Sequence, residues 1–228
     1  MIKLIVCETS GLSLSRAAEL ITSLPELYSM ATAGCDDAVR DNLSSYIALK
    51  LSYERLGLGE LPEVYRSSEG RPVLDLKEKK MSVSISHRRG VSLIGISDEG
   101  AIGVDVEIYD GKKDMLSLIK RFAPRMLEAG SDKGKIELYF SRLSRDGSLD
   151  SFIKVDEIEN KSLQIEYLSP KDDPYCAWVG LESVLKLEGG GFDDLDRLDE
   201  LLDVSTVCSL TLSLDERRIA VGAAYKDQ

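Results

Sequence analysis

The stretch Ile102-Gly103-Val104-Asp105-Val106-Glu107-Ile108 has an apolar side chain at every second position. This period of two is typical of a β-strand, because successive side chains of a strand point to opposite faces. The apolar side chains therefore share one face, and Asp105 and Glu107 share the other. A rise of roughly 3.3 Å per residue places the two carboxylates about 7 Å apart along the backbone, close enough to bind one hard cation. An ordinary strand with an acidic, solvated outer face remains the alternative.

Two further strands are predicted directly before this stretch, at residues 82–86 and 91–97. The turn formers Arg89-Gly90 and Glu99-Gly100 separate the three strands. Because the connections are this short, we expect an antiparallel meander.

The rest of the chain supplies helices and strands on both sides of this meander. Residues 131–173 are polar and contain the hairpin signal Asp146-Gly147, so they predict a small β insertion between strands at 139–143 and 149–155. Each half then resembles an α+β lobe, although no repeat proves it. The other predicted elements are a strand at 2–7, a helix from Asp36-Asp37 to about Gly57, helices at 114–122 and from Pro174 to about Gly189, and a hairpin of 204–214 with 217–225.

Composition limits the classes of partner. The 228 residues include 40 acidic and 29 basic ones, for a net charge of −11, which argues against unspecific binding to nucleic acid or to anionic membranes. The four cysteines are far apart and predict neither a zinc site nor a disulfide framework. The first apolar run is too short for a signal peptide, and no segment is long and apolar enough to span a bilayer. We therefore expect a cytoplasmic protein.

His87, the only histidine, lies at a predicted strand end beside Ser86 and is followed by Arg88 and Arg89. An imidazole and two guanidinium groups in this acidic chain are suited to bind phosphate oxygens. A solvated basic turn is the alternative.

Two other features are weak when taken alone. Glu182 and Lys186 are four residues apart on a predicted helix, so they share a face and could form a surface ion pair worth about 0.3–0.5 kcal/mol. The arginine of Gly70-Arg71-Pro72 could belong to a simple turn.

In combination and in chain order, these segments resemble the motifs of the larger 4'-phosphopantetheinyl transferases. The likeness extends from about Arg40 to Gly191, and residues 103–107 are its most specific part. Residues 119–122 are also similar to a helix that follows the metal-binding strand in that family. The segments are Gly70-Arg71-Pro72, Ser84-Ile85-Ser86-His87, residues 102–107, Trp178, Glu182-Ser183 and Lys186.

The resemblance implies an α+β pseudodimer of two similar lobes with the active site in the cleft between them. We place the lobes at residues 1–108 and 109–228, and the single-chain pseudodimer favours a monomer. The implied reaction moves the 4'-phosphopantetheine arm from coenzyme A to a serine of an acyl, peptidyl or polyketide carrier protein. Adenosine 3',5'-bisphosphate is released.

The resemblance also assigns a metal site. It implies that Asp105, Glu107 and Glu182 hold Mg²⁺ against the pyrophosphate of coenzyme A. Glu182 is the candidate general base, acting directly or through a metal-bound water, and Lys186 faces the pyrophosphate and steadies the leaving phosphate.

For coenzyme A itself, the resemblance implies contacts from Arg71, Ser86 and His87 to the nucleotide end and its phosphates. The chain departs from the family pattern where a lysine is usual, at Leu181, and residues 20–37 contain no lysine or arginine. These departures leave open a degenerate homologue that binds coenzyme A or a partner protein without transferring the arm.

Arg88 and Arg89 are the candidates to compensate for these losses, because a small residue is usual after the histidine in the family. Guanidinium groups at this position could reach a phosphate of coenzyme A.

Overall fold

The computed structural model is a mixed α+β protein with several sheets. No α-helix in the described part of the chain is both long enough and apolar enough to cross a membrane. The described residues are 1–25, 27, 37–66, 72–74, 81–111, 114–158, 163–187, 189, 192–214 and 216–226. Within them the strands are β1 (Ile2–Glu8), β2 (Val64–Arg66), β3 (Pro72–Leu74), β4 (Ser82–Arg88), β5 (Val91–Ser97), β6 (Ile102–Ile108), β7 (Ile136–Leu143), β8 (Leu149–Lys154), β9 (Leu163–Tyr167), β10 (Thr206–Leu214) and β11 (Arg217–Tyr225). The α-helices there are α1 (Leu14–Ser23), α2 (Asp37–Arg55), α3 (Met115–Phe122), α4 (Pro174–Leu187) and α5 (Leu198–Asp203).

Two sheets contain most of the described strands. The first has the order β4-β5-β1-β7-β8, and the second has the order β6-β11-β10-β9. β1 is antiparallel to β5 and parallel to β7, whereas the pairs in the second sheet are antiparallel. The small pair β2-β3 forms a separate two-stranded sheet.

The two sheets share a hydrophobic core, and helices cover their other faces. In β1, Ile2, Leu4 and Val6 pack in the core that also contains the apolar face of β6 and residues of β10 and β11. The alternate residues Ile5 and Cys7 pack in a second core with α1 and α2. Helices α3 and α4 pack on the second sheet. The alternation along each strand therefore builds layers of helix, sheet, sheet and helix.

Several predicted elements are confirmed. β5, β6 and β11 have the predicted bounds, α2 covers most of the helix predicted up to about Gly57, and β10 and β11 form the expected hairpin. Residue 36, the first half of the predicted helix cap, lies outside the described residues. Helix α1 was not predicted, although Ser13 caps it by accepting a hydrogen bond from the backbone N–H of Arg16 (3.3 Å).

The predicted meander is wrong at its third strand. β4 and β5 pair as expected, but β6 pairs with β11 in the other sheet. The physical reason is that β5 already has β4 on one edge and β1 on the other, so it has no free edge for β6.

Within residues 131–173, the hairpin predicted around Asp146-Gly147 is confirmed, because β7 pairs antiparallel with β8. Its strands belong to a main sheet and do not form a separate small insertion. β7 and β8 extend the first sheet through the parallel pairing of β7 with β1, and β9 is the edge of the second sheet. Both sheets consequently contain strands from either side of residue 108, so the sheets do not follow the boundary that we placed there.

The described cysteines are free thiols, as expected. Cys7, Cys176 and Cys208 are buried, and burial raises the pKa of each thiol to about 12. These three side chains therefore act as apolar packing groups at neutral pH.

An ion cluster holds β8 and β7 to β1. Glu137 accepts hydrogen bonds from Lys154 Nζ (2.6 Å) and from Lys3 Nζ (2.6 Å), and Lys3 also donates to the hydroxyl of Tyr139 (3.3 Å). The bonds from Lys154 and Lys3 lower the pKa of Glu137 from 4.5 to about 2. The stabilisation from Glu137 is therefore present above pH 4.5 and is lost as the pH falls towards 2.

Replacing Glu137 by glutamine should lower the free energy of unfolding at pH 7 by up to about 1 kcal/mol, because the pair is partly exposed and screened. The difference from the wild type should shrink between pH 4.5 and pH 2, where the native carboxylate takes up its proton. Urea unfolding of both proteins across this range measures the difference. A difference that stays constant with pH would show that the carboxylate charge is not what stabilises the wild type.

Candidate active site

Alternate serines of β4 face the free edge of β6. Ser84 Oγ accepts a hydrogen bond from the backbone N–H of Val104 (3.1 Å). Ser82 Oγ likewise accepts one from the backbone N–H of Ile102 (3.3 Å). Ser86 Oγ donates to Asp105 Oδ1 (2.8 Å). We call this contact the β4–β6 junction. It satisfies backbone donors of an edge strand and joins the two sheets at the predicted site.

Asp105 lies at the centre of this junction and is only 8% exposed. Lys186 Nζ of α4 donates to its Oδ1 at 2.7 Å and also lies 3.2 Å from the carbonyl oxygen of Val104 and 3.4 Å from Ser86 Oγ. Three predicted site residues, Ser86, Asp105 and Lys186, are therefore brought together from β4, β6 and α4.

Two glycines allow α4 to lie directly on the second sheet. A Cβ atom at Gly103 would come within 2.0 Å of the carbonyl oxygen of Ser183, and one at Gly222 within 2.5 Å of that of Val179. Gly103 and Gly222 belong to the paired strands β6 and β11. The close approach of helix to strand is what brings Lys186 within reach of Asp105.

The start of α4 is tied to the end of β6. Asp173 Oδ1 accepts the backbone N–H groups of Tyr175 (2.8 Å) and Cys176 (3.1 Å), as a helix cap does, and also the hydroxyl of Tyr109 (2.7 Å). The Tyr109 ring stacks on Tyr175 at 4.1 Å, and Arg218 lies over it at 4.5 Å. Burial, followed by the bond to Asp173, raises the pKa of Tyr109, which keeps its hydroxyl protonated as a donor.

Glu107, the second carboxylate of the β6 face, has a different cation. Arg88 Nε of β4 donates to Glu107 Oε1 at 2.8 Å, and the same oxygen accepts the N–H of Ile108 at 3.1 Å. Arg89 Nη2 lies 3.0 Å from Asp110 Oδ2. Both arginines predicted to bind phosphate are thus ion-paired, while a guanidinium group has five N–H donors and can bind further acceptors.

The hairpin between β4 and β5 sets the position of these arginines. Arg89 (φ +48°) and Gly90 (φ +77°) both have positive φ, as a two-residue type I′ turn requires. The N–H of Gly90 donates to Asp41 Oδ2 of α2 (3.1 Å). The carbonyl oxygen of Gly90 accepts a hydrogen bond from the N–H of Thr9 (2.8 Å). The turn is therefore held from two sides.

A pocket of about 320 Å³ lies beside this hairpin. One of its cations is Arg40, which the sequence did not indicate as a site residue and whose Nη2 lies 2.8 Å from Asp41 Oδ1. No local pattern places a residue of α2 next to a distant hairpin, so only the tertiary structure identifies Arg40. The lining residues are Asp37, Ala38, Arg40, Asp41, His87, Arg88 and Arg89.

The fit of a metal ion depends on three carboxylates. Within the described residues, no three side chains of the His, Cys, Asp or Glu type form a group that could hold a metal, so Asp105, Glu107 and half-buried Glu182 are not gathered into a cage. Mg²⁺ usually needs only one or two carboxylates, with water and substrate phosphates completing its shell. The side-chain hydrogen bonds of Asp105 within the described part all involve Oδ1, which leaves Oδ2 for a cation. Two strand carboxylates are of the ligand type that Mg²⁺ accepts, and in this structure Asp105 is paired with Lys186 and Glu107 with Arg88.

Arg71 lies outside the described residues. Leu181, where the family resemblance suggests lysine, is fully buried and packs with Ile119 and Val184 in the core between α3 and α4. A lysine at this position would point into that core. The packing of α4 therefore explains why the chain has leucine here.

Family models and curated proteins identify no relative of this chain. The sequence matches no protein-family model, and a search of the curated proteins finds no match.

Proposed function

We propose that the protein is a magnesium-dependent transferase that moves the 4'-phosphopantetheine arm from coenzyme A to a serine of an acyl, peptidyl or polyketide carrier protein. The meeting of Ser86, Asp105 and Lys186 supports this proposal. These residues come from three segments whose order in the chain resembles the family motifs, and they lie within hydrogen-bonding distance of one another.

The proposed metal ligands are Asp105 and Glu107 of β6, with Glu182 from α4. When bound, the cation supplies positive charge against the phosphoryl oxygens. Glu182, one turn before Lys186 on α4, would take the proton of the entering serine hydroxyl, either directly or through a water. Lys186 is long enough to leave Asp105 and donate to the pyrophosphate, which neutralises charge on the leaving group.

The proposed nucleotide site is the pocket beside the β4–β5 hairpin. Arg40, His87 and Arg88 line it and would contact the phosphates of coenzyme A. Ser86, which precedes His87 in β4, and Arg71 are further proposed contacts. The pocket adjoins the β4–β6 junction, where the two sheets meet. We take this junction as the cleft of the proposed pseudodimeric fold.

The proposed partners follow from charge as well as from the site. Carrier proteins are typically acidic, and a chain with a net charge of −11 cannot attract them as a whole, so docking must use a local basic surface. The same net charge disfavours nucleic acid and anionic membranes. We propose a cytoplasmic monomer.

A second candidate is a homologue that binds coenzyme A or a partner protein without transferring the arm. It is favoured by the pairing of each described arginine in the pocket with a carboxylate, Arg88 with Glu107 and Arg89 with Asp110 among them. A phosphate would have to compete with these partners, which would weaken its binding.

Incubation with coenzyme A and Mg²⁺ should add one phosphopantetheine arm to a suitable apo carrier protein. Intact-mass spectrometry of a panel of carriers measures the gain. EDTA, or alanine in place of the acceptor serine of the carrier, should abolish it. If no carrier gains the arm while calorimetry still shows coenzyme A binding, the protein belongs to the non-transferring class.

A further inference from the structure

Arg88 belongs to two sites at once. Its side chain lines the pocket beside His87, where it is 37% exposed, and its Nε donates to Glu107, whose side chain is 9% exposed. The guanidinium group is therefore open to solvent on one side and bonded to a buried carboxylate on the other.

The contact with Arg88 occupies one oxygen of the carboxylate that a metal ion would share. Glu107 Oε1 already accepts hydrogen bonds from Arg88 (2.8 Å) and from the backbone N–H of Ile108 (3.1 Å). A buried carboxylate without a compensating charge is unfavourable, and the guanidinium group supplies that charge from within the chain. A divalent cation that binds Glu107 must therefore either displace the guanidinium group or bind beside its positive charge.

We infer that Arg88 is an internal counterion that competes with a divalent cation for Glu107 and thereby sets the affinity of the site for the cation. The inference rests on the proposed function for the location of the metal. It goes beyond that function because it assigns Arg88 to the control of cation binding, whereas the sequence suggested a phosphate contact.

Binding of Mn²⁺ to the full chain tests this inference, with the free ion measured by electron paramagnetic resonance. Arg88→Met removes the charge but keeps an unbranched apolar stem, and it should raise the Mn²⁺ affinity about tenfold. Arg88→Lys keeps a cation next to Glu107 and should remain close to the wild type. Arg89→Met, the matched control, removes one positive charge from the neighbouring Arg89–Asp110 pair and should leave the affinity unchanged.

A second variant assigns the effect to Glu107. In a Glu107→Gln background, the change at Arg88 should no longer raise Mn²⁺ affinity, because the contested carboxylate is absent. Thermal unfolding in EDTA and in Mn²⁺ provides an independent readout. Arg88→Met should unfold at a lower temperature than the wild type in EDTA and should gain more from Mn²⁺.

Three results would overturn the inference. These are an unchanged or lower Mn²⁺ affinity in folded Arg88→Met, an equal gain in Arg89→Met, and no saturable Mn²⁺ binding by either the wild type or Arg88→Met. The outcome is separate from that of the carrier assay. A protein that transfers no arm but gains Mn²⁺ affinity on loss of Arg88 would refute the proposed transferase and retain the inference.

Discussion

Replacing Asp105 by alanine should lower the free energy of unfolding by about 3 kcal/mol in the absence of metal, because it breaks a largely buried ion pair. Lys186 Nζ would lose its partner at 2.7 Å, and Ser86 would lose the acceptor of its hydroxyl. The same change should abolish transfer of the phosphopantetheine arm. The strand alone suggests the opposite for stability, because removal of one of two neighbouring carboxylates relieves repulsion. The structure reverses this expectation, since Asp105 and Glu107 each have their own cation.

Denaturant unfolding in EDTA measures the stability of this variant. Asp150→Ala, which removes an exposed carboxylate from β8, is the matched control and should change the free energy by less than about 0.5 kcal/mol. Combining Asp105→Ala with Lys186→Met should cost less than the sum of the single changes, because both remove the same pair. An Asp105→Ala protein as stable as the wild type would show that the ion pair contributes nothing.

Replacing Gly103 by alanine should lower the free energy of unfolding by about 3 kcal/mol and should also weaken coenzyme A binding. The new Cβ would lie 2.0 Å from the carbonyl oxygen of Ser183 and 3.0 Å from the backbone N of Leu187. Both neighbours are backbone atoms of α4, so no flexible side chain can yield, and the helix has to move away from β6. Lys186 would move with it and lose its contact with Asp105.

Thermal and denaturant unfolding, with calorimetry of coenzyme A, measure both effects. Gly130→Ala is the matched control, because a Cβ there would have no atom within 4 Å and its backbone does not require glycine. It should be as stable as the wild type. If Gly103→Ala loses stability but keeps full affinity for coenzyme A, the position of α4 is not what forms the site.

Much of the local structure could be predicted from the sequence. Alternation of apolar and polar residues defined β6 to the residue, and the same pattern placed Asp105 and Glu107 on one face. Helical spacing put Glu182 and Lys186 on one face of α4, and Arg89-Gly90 marked the hairpin that the structure contains. These features depend on the rotation per residue of a helix or a strand. That rotation follows from the local backbone conformation, which neighbouring residues determine.

The sequence did not reveal which strands pair or which charges meet. It could not show that β6 leaves the meander to pair with β11, or that alternate serines of β4 cover its other edge. Nor could it assign Lys186 to Asp105 across 81 positions and Arg88 to Glu107 across 19. Periodicity records which side chains share a face, whereas the neighbour of that face depends on which strand edges are still free and how closely a helix can approach. Those two conditions arise only when the whole chain has packed.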